Sequence, residues 1–134
     1  MNWVMADANS IGAVDRLVAV VRADDELREL WEALEVGLLT LRDVGLGFDA
    51  PDSDVRRVCA ARDIWLVTND VNNDGPDSLE AALAAERGDE LPVLMVDQQA
   101  VLHDSPTCHS VALELLEKIA DGDLLRGTRR VWLR

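Results

Sequence analysis

Apolar residues along this chain fall into short continuous runs, separated by stretches in which they recur every three or four positions. The runs are Trp3 to Ala6, Val36 to Leu41, Ile64 to Thr68, Pro92 to Val96 and Thr128 to Leu133. A strand covered on both faces meets water on neither, so it reads as an unbroken apolar run rather than an alternation. Ile64 to Thr68 (IWLVT) is the clearest of the five. Thr128 to Leu133 carries two arginines and predicts a strand at the edge of the sheet.

The stretches between the runs predict helices. Asn9 and Ser10 offer N-caps ahead of Ile11, Val14, Leu17, Val18 and Val21, which share one helical face. Asp24 and Asp25 can cap a second stretch with Leu27, Leu30, Trp31 and Leu34 on its apolar side. After Arg42-Asp43 and the glycine-rich turn Val44 to Gly47, Pro51, Asp52 and Ser53 open a helix carrying Val55, Val58 and Cys59, which closes at Arg62-Asp63. The polar loop Asn69 to Pro76 leads to a helix starting at Asp77 and running through Leu83. Ser105 caps a further helix, with Pro106 at its first position and Ala112, Leu115, Leu116 and Ile119 along it. Gly122 supplies the stop. Strands alternating with helices predict an α/β fold built on a parallel sheet. The chain has 134 residues and neither repeats nor a linker, so 1–134 is assigned as a single domain.

Composition narrows the classes. Hydrophobic residues make up 49% of the chain, too many for a disordered segment, and no apolar run approaches the roughly 20 residues of a membrane span. The start, MNWVMADANS, has no basic region and carries Asp7, so no signal peptide is expected and a cytoplasmic location with no membrane partner is the expectation. Two cysteines, Cys59 and Cys108, are expected to be reduced thiols. His103, Cys108 and His109 match no established zinc spacing. The formal net charge is −13, from 26 acidic and 13 basic residues, only one of which, Lys118, is lysine. Such a chain has no broad basic face for nucleic acid, although an enzyme that reaches a phosphodiester through divalent cations is compatible with that charge. Of the four tryptophans, Trp65 and Trp31 are expected in the core and Trp3 and Trp132 in terminal strands. None is expected to stack on a nucleotide.

In open α/β sheets, ligands gather at the carboxyl ends of the strands, and those ends are acidic here. Asp7 closes the first run and Asp70 follows the IWLVT run, with Asp74 further along the same loop. Asp52 and Asp54 sit at a helix start, on the same edge. Carboxylates crowded together repel unless a cation lies between them, and oxygen ligands suit magnesium or manganese. Such ions activate water and stabilise the leaving oxygen in phosphodiester cleavage. Each aspartate alone also reads as a helix cap or loop residue, and for Asp52 and Asp54 the cap is a serious competitor.

The segment MADANS is similar to the Leu-Leu-Asp-Glu-Asn start of the compact PIN-like domains. LLTLRDVGLGFDAPDSDVRRVCAARDIWLVTND resembles their central block, a strand leading into an Arg-Asp-x-Gly-Leu turn, an Asp-initiated helix and a strand ending Thr-x-Asp. LLRGTRRVWLR resembles their terminal strand. The resemblance implies a PIN-like three-layer α/β/α sandwich with a mostly parallel central sheet. It also implies an Mg2+- or Mn2+-dependent endoribonuclease acting on RNA, often the toxin of a toxin–antitoxin pair. An antitoxin protein, and a second copy of the chain as a homodimer, are the protein partners it leaves open. Position by position, Asp7, Asp54, Asp70 and Asp74 match the acids of the group and are the expected catalytic and metal-binding residues. Two positions depart from the pattern: Ala8 stands where a Glu is expected, and Asn69 where an Arg precedes the strand-end Asp. A degenerate PIN-like domain acting as a protein-interaction module is the alternative. A phosphate-accepting receiver domain is disfavoured, because Asp7 lies between Ala6 and Ala8 and Lys118 falls in a predicted helix.

Overall fold

Among the described residues, five strands form one all-parallel sheet in the order β2-β1-β3-β4-β5. They are β1 (Asn2–Ala6), β2 (Val36–Leu39), β3 (Ile64–Thr68), β4 (Val93–Met95) and β5 (Arg130–Trp132). This computed structural model describes residues 1–69, 83 and 88–134. Among these residues the helices are α1 (Ile11–Ala23), α2 (Asp25–Ala33), α3 (Asp52–Arg62), α4 (Gln98–His103), α5 (Ser105–Ala120) and α6 (Gly122–Leu125). The strands match the five apolar runs, with β1 longer by one residue, β2 and β4 shorter by two and β5 shorter by three. The predicted helix from Asp77 lies outside the described residues except at Leu83, which is buried.

The sheet divides the core in two, as the two-residue period of a strand requires. Val4, Ala6, Trp65, Val67 and Leu94 face a cluster with α1 and α5. Met5, Ile64, Leu66, Val93 and Met95 face the other way, onto Val55 and Cys59 of α3. This arrangement is compatible with three layers, and the sheet is parallel throughout rather than mostly so. β1 pairs with β2 on one side and β3 on the other, with Trp3 opposite both Gly37 and Ile64. The Trp3 ring lies over Gly37, where a Cβ would stand 2.5 Å from its Cζ3.

Two helix starts differ from expectation. Ser10 precedes α1 but makes no side-chain cap, because its hydroxyl is bonded to Asn69 at the end of β3. α5 begins at Ser105 with Asp104 as its cap residue, one position earlier than the sequence suggests. α4 was not foreseen. It is a six-residue helix capped by Asp97, whose Oδ1 accepts from Ala100 N at 3.1 Å. Asp24, as expected, caps α2 by accepting from Leu27 N at 3.1 Å. Among the described residues no helix is long and apolar enough to cross a membrane.

Candidate functional site

The carboxyl edge of β1 and β3 is held by a small set of polar bonds. Asp7 follows β1 directly, and its N–H donates to Val67 O of β3 at 3.3 Å. Its carbonyl accepts from Ser10 N at 3.1 Å, which turns the chain into α1. Alternation sets the side chain: Ala6 faces α1, so Asp7 faces α3, as does Thr68 one residue past Val67. There the Thr68 hydroxyl donates to Asp7 Oδ2 at 2.6 Å.

Asp7 is only 6% exposed. Its other oxygen, Oδ1, is buried and has no hydrogen-bond partner among the described residues. A buried acceptor left unmet costs roughly 1–3 kcal/mol, more if charged. Native structures carry few such atoms, and each calls for an explanation such as strain, a functional role, a water or an ion.

A narrow recess beside Asp7 is lined by Asp52, Val55, Leu66 and Thr68. The helix period explains why Asp52 rather than Asp54 is there. Asp52, Val55 and Cys59 fall on one stripe, and Val55 and Cys59 are buried against the sheet. Asp54 is two residues, about 200°, from Asp52. It faces outward, where its Oδ1 accepts from Arg57 Nη1 at 2.8 Å in a pair exposed to solvent. The structure therefore brings Asp7 and Asp52 to one recess and leaves Asp54 on the outer surface of α3. Asp70 and Asp74 lie outside the described residues. Among the described residues, no three His, Cys, Asp or Glu side chains gather closely enough to hold a metal ion.

The remaining titratable groups have other occupations. Cys59 and Cys108 are free and buried. Burial pushes the Cys59 thiol up to about 12, against a smaller opposing pull from Arg56. His109 Nε2 lies 2.9 Å from Asp24 Oδ2, and this contact, with the cap bond from Leu27, holds the Asp24 carboxyl below its ordinary range.

Two features of the same edge were not anticipated. Asp97 follows β4 and adds a carboxylate at the carboxyl edge, and its place after the PVLMV run was the signal that could have found it. Trp132 lies in the terminal strand, as expected, and is 45% exposed there. Val131 packs against the α1 side of the core and Leu133 is buried there, so Trp132 between them must point the other way.

Comparison with protein-family models, with curated proteins and with solved structures finds no match to this chain.

Proposed function

We propose that the chain is a divalent-metal-dependent ribonuclease of PIN-like type, acting in the cytoplasm, with the three-layer PIN-like sandwich as its fold. The observation that carries this reading is the buried, unpartnered Oδ1 of Asp7 beside a second carboxylate, Asp52. The donors at hand are all oxygen, which suits magnesium or manganese. In this reading Asp7 and Asp52 hold the cation with Asp70 and Asp74, which follow β3 in the sequence, and Asp52 takes the place that the sequence resemblance gives to Asp54. When bound, such a cation supplies charge stabilisation and an acidified water for phosphodiester cleavage.

The protein's own part is positioning. Thr68 fixes the Asp7 carboxylate through Oδ2 and leaves Oδ1 without a partner among the described residues. Val55 and Leu66 wall the recess, and a low-dielectric wall strengthens any field between carboxylate and cation. The mutual bonds of Ser10 and Asn69 hold the end of β3 against the start of α1, so the recess keeps its shape.

A titration with magnesium or manganese tests the reading. An ion at ten times its Kd that binds only the native state adds about 1.4 kcal/mol, several degrees of Tm for a domain this size. We expect that rise, together with manganese-dependent cleavage of single-stranded RNA, and expect Asp7→Asn to lose both. A flat Tm with no cleavage at high protein concentration favours the second reading, a degenerate domain that binds a protein partner. One observation supports that alternative: an apolar groove of about 620 Å³ between α1 and the turn after β2, open at Ile11, Leu38 and Phe48. A toxin–antitoxin setting accommodates either reading, with the antitoxin as the protein that would occupy such a groove.

A further inference from the structure

A second cleft lies on the same sheet edge, on the far side of β3 from β1. It has a volume of about 240 Å³ and is lined by Asn69, Val96, Asp97, Gln98, Gln99 and Trp132. Three features distinguish it from an ordinary surface dent. Trp132 offers an aromatic surface at the cleft while 45% exposed, where a tryptophan usually packs. Three residues with carboxamides, Asn69, Gln98 and Gln99, line it, and the Gln98 Oε1 is buried with no hydrogen-bond partner among the described residues. Asp97 spends Oδ1 on its helix cap, leaving a further acceptor at the cleft.

An aromatic face with amides and a carboxylate around it is the equipment for holding a flat heterocycle with hydrogen-bonding edges. We propose that this cleft is a subsite for an unpaired nucleobase of single-stranded RNA, stacked on Trp132 and met at its edge by Asn69, Gln98 and Gln99. The proposal rests on the ribonuclease reading and extends it, because it gives that enzyme a way to hold its substrate despite a net charge of −13.

The placement fits a strand crossing both sites. Thr68, Met95 and Trp132 stand side by side across β3, β4 and β5. Trp132 is thus two inter-strand spacings, about 10 Å, from the residue that holds Asp7. Asn69, which lines the cleft, is the next residue after Thr68. One cation, Arg134, stands two residues along the chain from Trp132. The main chain of Arg134 is fastened to Glu114 and Ser110, while its guanidinium has no partner among the described residues. A base in a duplex cannot present its face to Trp132, so the site selects single strands.

The test is equilibrium binding of a fluorescently labelled single-stranded RNA oligonucleotide, followed by anisotropy at low ionic strength in EDTA so that no metal-dependent cleavage intervenes. Trp132→Ala should weaken binding about 5- to 150-fold, the range for losing one base–aromatic stack. Trp132→Phe should retain most of the affinity, and a duplex of the same sequence should compete poorly. Binding by Trp132→Ala within twofold of wild type, or equal binding of duplex and single strand, overturns the subsite. Should Trp132→Ala fold poorly, the wild-type protein with uncharged adenosine decides. A shift confined to the Trp132 indole N–H resonance among the four supports the subsite, and a spectrum with that resonance unmoved refutes it. Manganese-dependent cleavage separates the two ideas. Trp132-dependent binding without any cleavage defeats the nuclease reading and keeps the subsite. Cleavage with an unchanged KM in Trp132→Ala defeats the subsite and keeps the nuclease.

Discussion

The Thr68 hydroxyl and Asp7 Oδ2 are joined at 2.6 Å across the ends of two neighbouring strands, and both groups are buried. This bond ties the candidate site to the centre of the sheet. Thr68→Val keeps the shape and removes the donor. A hydrogen bond to a charged group is worth about 1.5–3 kcal/mol, and a loss of that size in urea denaturation is expected. A change below about 0.5 kcal/mol would mean the bond does not hold Asp7.

Asp7 itself should show the opposite behaviour. Its Oδ1 is buried without a partner among the described residues, and such a group is retained at a cost to stability. In EDTA, Asp7→Asn is therefore expected to melt at or above the wild-type Tm, while losing any manganese-dependent rise. A Tm several degrees lower in EDTA would show the carboxylate to be structural.

Asp52 and Asp54 give a contrast within one helix turn. Asp54→Asn removes only a solvent-exposed pair with Arg57, so stability should change by no more than about 1 kcal/mol and metal response should persist. Asp52→Asn should reduce manganese-dependent cleavage at least about tenfold, since it removes one of few charged ligands. If Asp54→Asn is the damaging variant, the assignment of the recess is reversed.

Much of this was legible in the sequence. The five strands were marked by continuous apolar runs, as burial on both faces favours, and the outer strands keep such runs even where Leu38 and Trp132 are exposed. The edge that gathers Asp7 followed from strand direction alone. What could not be read was which helical residue faces it. Asp52 and Asp54 are both acidic and both near a helix start, and only the burial of Val55 and Cys59 fixes the rotation of α3. The exposure of Trp132 was hidden for a related reason: an apolar run containing tryptophan looks the same whether its last ring is covered or not. α4 escaped notice because six residues are too few to display a period.

Gly37→Ala probes the packing of β1 against β2. A Cβ there would stand 2.5 Å and 2.8 Å from two atoms of the Trp3 ring, and forced overpacking costs about 1–3 kcal/mol. We expect a destabilisation of that size by chemical denaturation. A neutral outcome would mean the Trp3 ring moves aside freely.

The buried Cys59 thiol makes a prediction about alkaline pH. Burial raises it from an ordinary 9.0 to about 12, so the folded state keeps the proton while the unfolded chain releases it. The native state then binds more protons in that window, and its stability must fall as pH rises from 9 to 12. Below pH 9 the contribution is fully present. Cys59→Ala should show a shallower loss between pH 9 and 11 than wild type, and the native thiol should resist iodoacetamide at neutral pH. Rapid alkylation of the folded protein at pH 7 would contradict this.

The position of β1 between β2 and β3 has a consequence for how the protein is made. Trp3 pairs with residues 37 and 64, so the earliest strand to leave the ribosome lacks both neighbours when it emerges. At 5–20 residues per second, the wait for β3 is roughly 3–12 s. During that interval an apolar strand with two open edges is exposed, and the long separation of its partners makes closure slow once they arrive. The chain made by then, residues 1–63, carries 13 acidic and 7 basic residues, and this excess of one sign disfavours association of nascent copies while the sheet cannot yet close.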